Sequence, residues 1–109
     1  MSEEQDAQQM MMELQKTQQQ LQEVAEQKQQ TDMDLQGINK SLDELENSDG
    51  EVYRQVGEIL VAKDREELED ELQERKEDLE VRKKSLKKKE DQLEEKMQES
   101  QQAFQQNMQ

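Results

Sequence analysis

The feature that most restricts what this chain can fold into is a run of seam positions, spaced three and four apart, that covers most of its first half. Ala7, Met10, Leu14, Thr17, Leu21, Val24, Lys28, Thr31, Leu35, Ile38, Leu42 and Leu45 follow one another in unbroken alternation of those two steps. Residues so spaced share one face of a helix, and a sustained alternation is the seam of a coiled coil. Thr17, Lys28 and Thr31 dilute the seam, and Gly37 costs a helix interior about 1 kcal/mol relative to Ala. Such a helix forms only against a partner.

The second half carries a leaner stripe. Leu72, Leu79, Leu86 and Leu93 recur every seven residues, with Leu68 ahead of them. The alternate seam positions are expected at Arg75, Arg82, Lys89 and Lys96, whose methylenes can lie along an apolar seam while the charge stays in water. Beyond Leu93 the apolar positions are expected to change phase, to Met97, Phe104 and Met108. About 40 residues precede the central interruption and about 43 follow it, so each helix should be roughly 60 Å long. Equal arms joined at the middle predict an antiparallel hairpin of helices with both termini at one end.

The interruption is "EVYRQVGEILVAKD", residues 51–64. "ENSDG" ahead of it holds the residue types that end helices and make turns, so the first helix should stop near Leu45. On the far side, Asp64 with Glu67 resembles a variant N-cap pair. Gly57-Glu58 separates "VYRQV" from "ILVAK", and Gly at the first central position suits a two-residue type II′ turn. That turn sets Val56 opposite Ile59, Arg54 opposite Val61 and Val52 opposite Lys63, and it leaves apolar side chains on both faces. A lone two-stranded ribbon is marginal in water, and its free edges invite other strands. The ribbon therefore predicts oligomerisation through a shared sheet or barrel; the other outcome is packing back onto its own helices. The expected organisation is a coiled-coil helix at 1–46, a connecting turn and β-hairpin at 47–63, and a second coiled-coil helix at 64–109.

Composition narrows the function. Only 28% of the chain is hydrophobic and 40% is charged, which is too little apolar material for an ordinary globular core. There is no Cys and no His, so thiol chemistry, Cys/His zinc sites and imidazole catalysis are excluded. Carboxylate pairs such as Asp32 and Asp34 are abundant but have no pocket to work in, so neither an enzyme nor a dedicated metal site is expected. The net charge of -14 opposes binding to nucleic acid, and the local basic run "RKKSLKKKE" reads as a solvated helix face. No apolar stretch approaches a membrane span and the N-terminus is acidic, which points to a soluble cytoplasmic protein without a signal peptide.

Helix, central hairpin and helix in one short chain resembles prefoldin, and specifically its single-hairpin β-type, archaeal-like subunit. The most specific stretch is Val52-Tyr53-Arg54-Gln55-Val56-Gly57-Glu58-Ile59-Leu60-Val61, similar to the V-Y-(K/R)-x-x-G-x-(I/V)-L-V pattern of that subunit type, with "EQKQQ" in the first half a softer match. The resemblance implies an all-α-dominated fold: an antiparallel two-helix coiled coil whose central β-hairpin joins an intersubunit β-barrel. It implies a hetero-hexamer with an α-type partner, two α and four β subunits. It also implies an ATP-independent holdase, needing no cofactor, that captures non-native polypeptides and delivers them to a group II chaperonin. The chain lacks the GxxxxGK[ST] nucleotide signature, in keeping with that.

Two sets of residues are candidates for these roles. Val52, Tyr53, Val56, Gly57, Ile59, Leu60 and Val61 form the oligomerisation hairpin. Met10, Met11, Met12, Leu14, Met97, Phe104 and Met108 cluster toward the chain ends, where flexible, polarizable Met side chains suit a surface that accepts many partners. The rival reading is a coiled-coil spacer or adaptor without chaperone activity, which leaves the two-faced hairpin and the clustered Met residues without purpose.

Overall fold

The computed structural model describes residues 2–108, the side chain of Met108 excepted. Four elements follow in order: α1 (Glu3–Asn47), β1 (Val52–Val56), β2 (Ile59–Lys63) and α2 (Arg65–Met108). The chain divides into two compact units, Met1–Gln29 with Lys84–Gln109, and Gln30–Lys83.

In the first unit, α1 begins on a side-chain cap. The Ser2 hydroxyl accepts the Gln5 N–H at 3.3 Å, and Glu3, Glu4 and Asp6 set negative charge on the dipole's positive end. Packing centres on Val24, Leu86 and Leu93, with Leu21 against them. Thr17 is fully buried on the same seam, and its hydroxyl donates to the Glu13 carbonyl at 2.9 Å, so no polar group is stranded. Two ion pairs cross between the helices: Lys28 Nζ lies 3.1 and 3.2 Å from the Glu90 carboxylate oxygens, and Lys96 Nζ lies 3.9 Å from Glu13. Early residues of α1 meet late residues of α2, so the helices run antiparallel here.

In the second unit, Leu35 and Ile38 are the buried apolar residues of α1, and Asp32 meets Lys83 Nζ at 2.9 Å. Here α1 continues beyond Leu45 to Asn47. β1 and β2 pair antiparallel with Val52 opposite Lys63, Arg54 opposite Val61 and Val56 opposite Ile59, the register the two-residue turn requires. Gly57 has φ of 60°, and Glu58 has no positive φ, which is the type II′ combination. α2 starts directly after β2: Asp64 is its N-cap, its carboxylate accepting the Glu66 N–H at 3.3 Å.

Every α1 seam residue named from spacing, Ala7 through Leu45, is buried or half-buried. The α2 seam differs from expectation. Arg75, Arg82, Lys89 and Lys96 are exposed, whereas Lys76, Glu90, Met97 and Phe104 are half-buried beside the leucine row. The second row thus stands four residues after each leucine, not three. A seven-residue leucine repeat fits either offset, and the face presented to α1 decides between them. On that offset Met97 follows Leu93 by four and Phe104 follows Met97 by seven, so the seam runs on without a change of phase. Among the described residues only Val24, Leu86 and Leu93 in the first unit and Leu35 and Ile38 in the second form buried apolar core, so each unit has a small one.

Candidate assembly and capture surfaces

The hairpin is built to present apolar side chains rather than to hide them. Leu60 is 68% exposed and Ile59 62%, with Tyr53, Val56 and Val61 also exposed and only Val52 half-buried near the base. Burying such residues against a partner is worth about 1.5–3 kcal/mol apiece. In a two-residue hairpin the Val56–Ile59 pair next to the turn is hydrogen-bonded, so the alternate pairs Tyr53–Ala62 and Gln55–Leu60 are not. Their N–H and C=O groups point outward, along both free edges of the ribbon. On the β1 side the edge, from Tyr53 to Gln55, borders a groove of about 580 Å³ with Leu45, Leu68 and Leu72 among its lining. Lys40, Glu44, Glu71 and Arg75 share that lining with the leucines, and the open backbone beside it suits an added strand.

Two polar anchors, Glu71 and Arg65, fix the ribbon and the linker before it on the helices. Glu71 of α2 meets Arg54 of β1 at 2.9 Å and Lys63 of β2 at 3.7 Å, tying both strands to one carboxylate. The Arg65 guanidinium donates to the Leu45 carbonyl, and also to the Gly50 carbonyl at 2.7 Å. It thereby satisfies a carbonyl in the last turn of α1, where no basic residue of α1 is present. The Tyr53 hydroxyl donates to Glu51 at 2.6 Å; that bond, with a little burial, raises the phenol above its ordinary pKa.

The Met- and Phe-bearing stretches belong to the other unit. Met11 and Met12 are exposed, Met12 by 68%. Met10, Leu14, Met97 and Phe104 are half-buried on the seam, and the side chain of Met108 lies outside the described residues. The Glu13–Lys96 pair sets the α1 and α2 stretches side by side, so the residues singled out from the two ends of the sequence do share one region. Spacing had no means of finding Arg65 or Glu71, whose partners are distant in sequence. The Ser2 cap had a signal, Ser-x-x-Gln. Among the described residues no cluster of carboxylates is arranged to hold a metal ion, and no helix is long and apolar enough to cross a membrane.

An apolar ribbon exposed in one unit and methionines exposed in the other define a class: a protein that works by assembling and by contact. The profile of the family described as prefoldin subunit matches residues 8–109. A crystal structure, that of the prefoldin β subunit from Thermococcus strain KS-1, superposes with a TM-score of 0.82 at 38% sequence identity, covering 92% of this chain and 90% of that one. No curated protein sequence matches. The chain belongs to the prefoldin family, whose members are chaperones and not enzymes.

Proposed function

We propose that this chain is the β-type subunit of a cytoplasmic, ATP-independent holdase, assembled with an α-type partner as two α and four β subunits. Val52, Tyr53, Val56, Gly57, Ile59, Leu60 and Val61 join its ribbon to a barrel shared between subunits. Met10, Met11, Met12, Leu14, Met97, Phe104 and Met108 take up non-native polypeptides, which pass to a group II chaperonin. The observation that carries the reading is the exposure of Tyr53, Val56, Ile59 and Leu60, large apolar side chains for which the chain itself supplies no cover. Capture rests on buried apolar area, with surrounding Gln and Glu keeping the free complex in solution.

The test is light scattering of a chemically unfolded, aggregating protein, without nucleotide, as the chain is titrated in with a two-hairpin partner. Suppression near one complex per client supports the reading, and removal of residues 1–14 and 97–109 should then abolish suppression while the hexamer persists. An assembled complex that leaves scattering unchanged favours the spacer.

A further inference from the structure

Lys28 is the one charged residue in the α1 seam; Ala7, Met10, Leu14, Thr17, Leu21, Val24, Thr31, Leu35, Ile38, Leu42 and Leu45 are all uncharged. Glu90 is the one carboxylate in the α2 seam, whose other charged members, Lys76 and Lys83, are cations. These two unlike charges meet, with the Lys28 side chain 26% and the Glu90 side chain 18% exposed. They stand next to the Val24, Leu86 and Leu93 cluster, where apolar residues would pack at least as well. A half-buried pair in such a place adds little net stability over apolar replacements, and its best-attested use is to specify which helices pair.

The α1 seam is the more apolar of the two and so the one prone to self-association. It contains no carboxylate. If α1 of one copy met α1 of a second, Lys28 would lose the paired geometry it has here and would find no opposite charge at the twelve seam positions, the nearest acid on that side, Asp32, being a flanking residue that Lys83 holds at 2.9 Å. Only the α2 seam supplies a counter-charge at a seam position, Glu90.

We propose that Lys28 and Glu90 are the pairing selector of the coiled coil: they direct α1 onto α2 and keep the α1 seam off a second copy of α1. The proposal is independent of whether the assembly acts as a holdase.

The chain has no Cys, so a Leu21→Cys variant of the full chain reports α1–α1 contact as an intermolecular disulfide under mild oxidation. Adding Lys28→Leu with Glu90→Leu should raise the disulfide-linked dimer at least fivefold while the thermal midpoint stays level or rises. Exchanging the charges, Lys28→Glu with Glu90→Lys, should hold the dimer at its starting level. A Lys28→Gln, Glu90→Gln version, checked for helicity by circular dichroism, serves if the leucine variant does not fold. An uncharged pair that gives no extra dimer, or a charge exchange that gives as much as the uncharged pair, overturns the proposal.

Discussion

Arg65→Ala removes the guanidinium that bridges the end of α1 and the turn before β1. Arg65 is half-buried, and its two donors go to carbonyls of Leu45 and Gly50. A carbonyl left without its charged donor in a part-buried setting loses about 1–2 kcal/mol, and the exposed one, which water can rescue, roughly 0.5 kcal/mol or less. The sum is about 2 kcal/mol, which for a chain of this size is a fall of roughly 8–12 °C in thermal midpoint. Arg65→Lys should recover less than half of it, because an ammonium on a flexible stem does not reproduce a planar fork spanning two carbonyls. The assay is thermal circular dichroism, paired with amide hydrogen exchange across the linker before β1, where protection should drop first. A midpoint within about 2 °C of the parent, with exchange unchanged, would refute the assignment of Arg65 as the residue that seats the hairpin.

Other consequences are as direct. Ile59→Lys with Val61→Lys should break up the assembly with the partner subunit while helicity is retained, as read by multi-angle light scattering; an unchanged mass would sink the ribbon as the joint. Leu86→Ala, at one of the few closed points of the stem, should cost about 2–3 kcal/mol in urea unfolding, whereas Val81→Ala on the open face should stay within about 0.5 kcal/mol. Met11→Gln with Met12→Gln should weaken client capture severalfold at constant thermal midpoint, since both side chains are exposed and neither packs in the seam. Equal loss of capture and stability would mean that these residues act through the coil.

Much of this was readable from spacing, and the failures are instructive. The α1 seam was legible because nine of its twelve members are apolar and each sits three or four from the next. The strand register was legible because a two-residue turn leaves no freedom once its residues are named. The α2 seam was half legible: a single leucine row cannot say on which side its companion row lies when that companion is Lys76, Lys83 and Glu90. Spacing placed the wrong cations there, and with them a phase change that does not occur. The hairpin anchors were illegible, because Arg65 reaches back to Leu45 and Gly50 and Glu71 reaches back to Arg54, contacts that leave no local signature. Candidate surfaces were found by composition, since apolar residues with no place in a seam have to face outward, but how far each is exposed depended on which seam row it joined. Met97 and Phe104 are the examples.

The two ends of the ribbon are fastened unequally. One residue, Asp64, separates β2 from α2, and it is at once the strand's last link and the helix's cap. Four residues, Ser48 to Glu51, separate α1 from β1. In mechanical terms α2 and the ribbon form a crank with no slack at its elbow, while the α1 side is a longer strap whose slack is taken up by one clasp, the Arg65 guanidinium on the Leu45 and Gly50 carbonyls. A single residue inserted after Lys63 would therefore swing the ribbon's faces about the start of α2, whereas an insertion at Ser48 should leave them where they are.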